Sequence, residues 1–156
     1  MKRVLVCGIL LVSSLSGYEI VIDETLTLKL SPFSRDDSKE VVIDTKRKLM
    51  WQDDESVKNV KKDWSGAIEY CKNLNFAGFD DWRLPSRMEL LGITDKTKVD
   101  PAMQDGFKNV VSGFYWSSSP AVSVSSGAWY VYFGSGHEHT EHNSSSHYVR
   151  CVRDSK

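Results

Sequence analysis

Three segments that combine aromatic residues with arginine or serine restrict the fold of this 156-residue chain more than any other feature. They are Asp80–Leu91 (DDWRLPSRMELL), Tyr115–Ser118 (YWSS) and Tyr148–Arg153 (YVRCVR). A buried Trp or Tyr ring removes a large apolar area from water, so such residues can build a core from few regular elements. The segments therefore predict a small, loop-rich domain, and no catalytic arrangement stands out beside them.

Residues 1–17 have the pattern of a secretory signal peptide. Lys2 and Arg3 precede an apolar run over Val4–Val12, and small residues follow, with cleavage expected after Ser16 or after Gly17. A membrane-spanning helix needs about 20 apolar residues, which exceeds this run and every later one. We therefore expect an exported protein, periplasmic or secreted to the cell surface, without a membrane span.

Two cysteines, Cys71 and Cys151, remain once the signal peptide is removed together with Cys7. In an oxidising compartment an even number of thiols is expected to pair. The sequence therefore predicts one disulfide, and a loop of about 80 residues closed in this way gives about 4–5 kcal/mol in the chain-entropy model. Two buried free thiols are the alternative. A metal site is less consistent with cysteines so far apart and without a Cys-x-x-Cys motif.

The charge distribution argues against a general nucleic-acid-binding protein. The formal net charge is −1, and the loss of Lys2 and Arg3 with the signal peptide changes it to −3. Basic residues are scattered among acidic ones, whereas nucleic-acid binding draws its affinity from a concentrated basic surface.

The predicted elements are strands, then two helices, then further strands, which together indicate an α+β domain. A strand or loosely packed N-terminal arm over residues 18–30 and a linker to residue 39 precede a compact domain over residues 40–153. Within that domain we predict a hairpin over 41–52, strands at 115–118, 128–133 and 148–153, and a turn over Gly134–His147.

Local capping signals place the two helices. Asp63 can cap a helix that continues to Leu74 with its apolar residues at helical spacing, and that spacing puts Cys71 on the inward face. Ser86 and Glu89 form a capping box directly after Pro85, so a short helix is expected over about 87–93.

Six of these segments, taken in order, resemble the Lcl C-terminal domain family, a domain of unknown function found at the C-terminus of bacterial collagen-like adhesins. The resemblance covers about residues 40–153. The segments are Leu49–Gln52, Trp64–Leu74, Trp82–Ser86 with Glu89 and Leu90, Tyr115–Ser118, Phe133–Gly134 and Tyr148–Arg153.

The resemblance implies a C-type-lectin-like fold related to formylglycine-generating enzymes. Such a fold has mixed and antiparallel strands and allows a helix cysteine to pair with a last-strand cysteine, in agreement with Cys71 and Cys151. It also implies a surface adhesin that binds sulfated polysaccharides. This chain lacks a Gly-x-y collagen stalk and a trimerising region, so multivalent adhesion does not follow from the resemblance.

The residues that carry the resemblance are expected to hold the fold rather than a ligand. Aromatic rings fill the core, and arginines stack on rings or pair with carboxylates such as Asp81 and Glu89. The residues assigned to this structural role are Trp82, Arg83, Pro85, Trp116 and Arg150.

All four histidines lie between residues 137 and 147, and they make this the one chemically unusual segment of the chain. If the segment is extended, His137, His139 and Glu141 point to one side, and His142 could fold back to complete a transition-metal site. An exposed polar hairpin tip is the alternative. A ligand surface is a further one, with the candidate residues Trp129, Tyr130, His137, His139, Glu141 and His142.

Three classes of function are compatible with these features. The first is a non-catalytic binding module for a glycan or a protein partner, and the second is a structural component of the cell envelope. The third is an enzyme resembling formylglycine-generating enzymes, which would need a reactive cysteine pair, whereas both cysteines are assigned to a structural bridge. We expect no catalytic residues and no cofactor apart from the possible metal at residues 137–142. Calcium dependence is not expected, because the acidic clusters are short and calcium takes six to eight oxygen ligands.

Overall fold

The computed structural model describes residues 19–22, 28–122 and 125–155, so the predicted signal peptide lies outside the described residues. The strands are β1 (Glu19–Ile22), β2 (Leu28–Ser31), β3 (Phe33–Asp36), β4 (Val41–Asp44), β5 (Leu49–Gln52), β6 (Lys61–Lys62), β7 (Phe114–Ala121), β8 (Gly127–Tyr132), β9 (His137–His142), β10 (His147–Tyr148) and β11 (Val152–Asp154). The helices are α1 (Ser56–Asn59), α2 (Trp64–Lys72) and α3 (Arg87–Gly92). The α+β class is therefore confirmed, with three short helices among the described residues rather than the two predicted.

A four-stranded antiparallel sheet in the order β11-β5-β4-β3 contains the predicted hairpin. Strands β4 and β5 pair Val42 with Trp51, and both side chains are fully buried. Part of the predicted linker is a strand, because β3 pairs with β4 along the edge of this sheet. Its residue Phe33 is 2% exposed and lies in the core. A single buried aromatic residue among charged neighbours is enough for an edge strand, which can carry charges on its open side.

A five-stranded sheet in the order β6-β10-β7-β8-β9 forms the second layer. The predicted turn over Gly134–His147 is wrong, because β9 pairs with β8 over six consecutive residues. The predicted single strand over 148–153 is also wrong, since β10 and β11 belong to different sheets. Strand β9 contains no apolar residue, so its periodicity gave no strand signal, and its pairing with β8 determines its conformation.

Both predicted helix starts are confirmed. The Asp63 carboxylate accepts a hydrogen bond from the Gly66 N–H at 2.7 Å and begins α2. At the start of α3 the Ser86 hydroxyl accepts from the Glu89 N–H, and the Glu89 carboxylate accepts from the Ser86 N–H. The additional helix α1 has only four residues, which is too short to produce a helical repeat in the sequence.

Cys71 and Cys151 form the predicted disulfide, with their Cα atoms 5.5 Å apart. Both residues are fully buried. The bond joins α2 to the chain between β10 and β11, so it connects the helix with the passage from one sheet to the other.

The residues assigned to a structural role are all engaged within the fold. Trp82 and Trp116 are buried, and their indole N–H groups donate to the carbonyls of Phe76 and Lys62. Pro85 is buried, and its carbonyl accepts from the Ser118 N–H at 2.7 Å. Arg83 forms ion pairs with Glu89 and Asp154, and Arg150 forms one with Asp53.

Candidate functional site: the aromatic and histidine face

Aromatic and histidine side chains lie on one face of the five-stranded sheet because of the strand register. Phe114 on β7 is opposite Tyr132 on β8, and Tyr130 on β8 is opposite His139 on β9. Residues that are directly opposite each other, and residues two apart on one strand, project to the same side. We call this surface the aromatic face, and its residues are Phe114, Tyr130, Tyr132, His137, His139, Glu141 and His147.

Phe114 is the centre of the aromatic face. Its ring centroid lies 5.1 Å from Tyr130, 5.0 Å from Tyr132 and 5.5 Å from the His147 ring. Although it touches three rings, Phe114 is 42% exposed. A large apolar side chain held in place and still open to solvent is a common feature of a binding surface.

His147 lies beneath this surface and contacts a carboxylate. It is 6% exposed, its ring centroid lies 4.3 Å from that of Trp116, and its Nε2 is 2.8 Å from a carboxylate oxygen of Glu141. Burial lowers the pKa of His147, while Glu141 acts in the opposite direction. Burial and the nearby Glu141 also raise the pKa of Tyr130.

The lowered pKa of His147 predicts a loss of stability in mildly acidic solution. The unfolded chain binds a proton at His147 below about pH 6.5, whereas the folded protein does so only at lower pH. Stability contributed by the neutral ring is therefore present above pH 6.5 and declines as the pH falls through the folded-state pKa. We expect urea unfolding at pH 7.5 and pH 5 to show a larger decrease for the unmodified protein than for His147→Gln. Equal decreases in the two proteins would contradict this assignment.

A cleft of about 240 Å³ adjoins the aromatic face. Its lining residues are Lys61, Val111, Ser112, Gly113, Phe114, Ser146, His147 and Tyr148. The Lys61 ammonium lies 4.3 Å from the centre of the Tyr148 ring. Gly113 permits this arrangement, because a Cβ at that position would approach Tyr148 Cε2 to 2.5 Å. The cleft thus combines apolar walls, three hydroxyl-bearing side chains and a cation.

A larger and more open groove of about 420 Å³ runs along α2. Its lining residues are Lys62, Gly66, Glu69, Tyr70, Asn73, Leu74 and Asn75. Tyr70 is the single aromatic residue of this lining, and its hydroxyl is directed to Ser56 Oγ at 3.3 Å. The smaller cleft, which shares Phe114 and His147 with the aromatic face, is the better candidate for a ligand site.

The structure brings together four of the six residues predicted to contact a ligand. Tyr130, His137, His139 and Glu141 share the aromatic face through the β8–β9 register. Trp129 and His142 belong to the opposite face of the sheet, because they alternate with these positions.

On that opposite face the Trp129 ring already contacts another side chain of the protein. The Arg87 guanidinium lies 4.3 Å from the centre of the Trp129 ring, and Arg87 Nε is 3.3 Å from the Glu138 carboxylate. Trp129 is therefore partly covered by α3 and is less suited to bind a ligand than Tyr130.

The predicted metal ligands do not converge. His137 Nδ1 lies 3.0 Å from Ser135 Oγ, and His142 Nδ1 lies 2.8 Å from Ser144 Oγ. Within residues 19–22, 28–122 and 125–155, no group of three or more His, Cys, Asp or Glu residues is arranged to hold a metal ion.

In the same part of the chain, no helix has the length and apolar character needed to cross a membrane.

Four residues of this site are not among the ligand-contacting residues predicted from the sequence. They are Lys61, Phe114, Tyr132 and His147. One signal was present, because Phe114 and Trp116 alternate in the same way as Tyr130 and Tyr132. Two adjacent strands with aromatic residues at alternate positions place those rings on a common face when they pair. The register itself could not be read from either segment alone.

Comparison with known proteins identifies a family for this chain. The family model described as the Lcl C-terminal domain matches residues 40–153. No curated protein matches the chain. The family match covers most of the chain, including both sheets from β4 onward and the disulfide. This chain therefore belongs to the Lcl C-terminal domain family.

Proposed function

We propose that this protein is an exported, non-catalytic binding module, and that its aromatic face and the adjoining cleft bind a glycan. The observation that carries the proposal is the exposed Phe114 ring, which is held by Tyr130, Tyr132 and His147 beside hydrogen-bonding side chains. A sugar ring presents C–H groups on its faces and hydroxyl groups around its rim. Aromatic rings suit the former, and imidazole and carboxylate groups suit the latter.

The charges around the cleft favour an acidic glycan, such as a sulfated polysaccharide. Lys61 lines the cleft, contacts the Tyr148 ring and has no carboxylate within ion-pair distance among the described residues. The next residue, Lys62, lines the groove along α2 instead. The Lys61 ammonium group beside a hydroxyl-lined cleft would attract a sulfate or carboxylate substituent on the sugar.

Two further features support a binding role outside the cytoplasm. The pattern of residues 1–17 is that of a secretory signal peptide, and the buried disulfide is of the kind that persists in oxidising compartments. The enzyme alternative relies on a reactive cysteine pair, and Cys71 and Cys151 are joined to each other with no exposure to solvent. We therefore favour binding over catalysis.

A glycan array that includes sulfated polysaccharides tests the proposal. We expect saturable binding by the unmodified protein and at least a roughly tenfold loss for Phe114→Ala, because truncation of a central aromatic anchor typically costs more than 1–2 kcal/mol of binding free energy. Met88→Ala is the matched control, since Met88 is also an exposed apolar residue, at 65% exposure, but it lies on α3. We expect this variant to bind like the unmodified protein.

A flat array from protein with native circular dichroism would overturn the glycan proposal. Co-purification of such a protein with an envelope partner would then favour a structural role. Equal losses in Phe114→Ala and Met88→Ala would instead indicate that the aromatic face is not the site.

A further inference from the structure

Strand β9 has an open outer edge. It is the last strand of the five-stranded sheet and pairs on one side with β8. In the described part of the chain no backbone pairing covers its other side. An edge strand of six residues with regular pairing and no proline or bulge presents a row of backbone donors and acceptors to another strand.

The sequence of this edge is complementary to itself when it is reversed. Residues 138–142 read Glu-His-Thr-Glu-His. In an antiparallel arrangement centred on Thr140, Glu138 is opposite His142 of a second copy, and His139 is opposite Glu141 of that copy. Each of these contacts occurs twice by symmetry, and Thr140 faces its own counterpart. Carboxylate–imidazole pairs and Thr–Thr pairs directly opposite each other are both favourable cross-strand contacts.

The neighbouring registers are less complementary, because the one centred on His139 keeps only the His137–Glu141 contacts and the one centred on Glu141 keeps no carboxylate–imidazole contact. Residues opposite each other in an antiparallel pair must both direct their backbone groups toward the partner or both away from it. Two identical strands can therefore pair only in registers that place one residue opposite its own counterpart in the other copy. Neighbouring registers differ in which residue occupies that central position. One neighbouring register puts His139 opposite His139, and the other puts Glu141 opposite Glu141, so like groups meet at the centre.

We propose that two copies of this protein pair through β9 in the register centred on Thr140, and so join their five-stranded sheets into one continuous sheet. The carboxylates of Glu138 and Glu141 can each accept a further hydrogen bond from the second copy. Glu138 contacts Arg87 through Oε2 and Glu141 contacts His147 through Oε2, which leaves Oε1 of each side chain to accept another hydrogen bond. Their side chains are 31% and 44% exposed.

The dimer would place two binding surfaces on one side. An isologous antiparallel pair has its two-fold axis perpendicular to the sheet, so corresponding faces stay on the same side. The two aromatic faces would then be available to one extended ligand, which raises the apparent affinity through the second, intramolecular binding event. This consequence depends on the proposed function, whereas the pairing itself does not.

The test uses two charge variants that should each fail to self-associate and should pair with each other. His142→Glu places glutamates opposite each other twice, and Glu138→Lys places lysine opposite histidine twice. A mixture of the two variants restores one Lys–Glu pair and one Glu–His pair. Every protein is prepared without the predicted signal peptide over residues 1–17 and therefore without Cys7, so that a free thiol cannot cross-link two copies.

Sedimentation equilibrium over about 10 μM to 1 mM, at pH 6 where imidazole is readily protonated, provides the measurement. We expect the unmodified protein to dimerise and each single variant to dimerise at least about tenfold more weakly, because two cross-strand pairs change from attraction to repulsion. The mixture should recover association close to that of the unmodified protein. Recovery in the mixture also shows that neither variant fails through misfolding.

His137→Glu is the matched control, because it makes the same substitution on the same strand at a position outside the five complementary residues. We expect its association to equal that of the unmodified protein. A monomeric unmodified protein over the whole concentration range would overturn the proposal, as would a dimer that is insensitive to both single variants. Glycan binding by Phe114→Ala is measured separately, so the two proposals can fail independently.

Discussion

Replacement of Asp53 by asparagine is expected to destabilise the domain by about 3–5 kcal/mol, because it removes the carboxylate from a buried ion cluster. Asp53 is fully buried, and Arg150, also fully buried, donates to its Oδ1 at 2.7 Å. The Arg35 guanidinium donates to its Oδ2. Loss of this carboxylate would leave two arginines with little access to water and without their common counter-charge.

The hydrogen-bond geometry makes even the isosteric asparagine unsuitable. Both carboxylate oxygens accept, since the Lys108 N–H donates to Oδ2 at 2.9 Å and the Asn109 N–H donates to Oδ1 at 3.3 Å. An asparagine side chain presents a donor on one side, which would then face the guanidinium and amide donors there. Burial lowers the pKa of Arg150 to about 10, so this guanidinium is still charged at neutral pH and needs a counter-charge.

Urea unfolding at pH 7 measures the effect, and Asp37→Asn provides a matched control. Asp37 contacts the same arginine, with Arg35 Nε 2.5 Å from its carboxylate, and it also contacts Lys108. Its side chain is 66% exposed, so solvent screens both ion pairs. We expect Asp37→Asn to change the free energy of unfolding by only a small fraction of the Asp53→Asn effect. Equal effects would show that burial of the cluster does not determine its contribution.

The parts of this fold that could be predicted from sequence are those specified by residues close together in the chain. Asp63 identified the start of α2, and the capping box of Ser86 and Glu89 identified the start of α3. The β4–β5 hairpin follows from two short apolar runs on either side of a polar turn. In each case the stabilising contacts lie within a few residues of the signal.

The features that could not be predicted depend on pairing between distant segments. Strand β9 is entirely polar, so its strand conformation follows from pairing with β8 rather than from its own apolar pattern. The aromatic face depends on the registers of β7, β8 and β9 together. The Asp53–Arg150 pair joins residues separated by 97 positions, and nothing in either local sequence identifies the partner. The cysteines are an exception, because only one pairing is left once Cys7 is set aside with the predicted signal peptide.

Removal of this disulfide is the second change with a large expected effect. We expect Cys71→Ala with Cys151→Ala to lose about 2–5 kcal/mol of unfolding free energy, because the bond closes a long loop and so restricts the unfolded chain. The bonded residues are 80 positions apart, and the loop between them contains α3 and strands β7 to β10. Few single cross-links could restrict more of this domain.

Urea unfolding of three proteins separates the cross-link from the packing of the sulfur atoms. These are the oxidised unmodified protein, the same protein reduced with dithiothreitol, and the double alanine variant. If the cross-link is responsible, the reduced protein and the variant should both fall well below the oxidised protein and lie close together. A reduced protein as stable as the oxidised one would contradict the argument from loop closure, and a loss confined to the alanine variant would assign the effect to packing around Cys71 and Cys151. Because Cys151 lies only a few residues beyond His147 and Tyr148, the same reduced protein should also bind a glycan less tightly if release of the cross-link loosens the wall of the cleft.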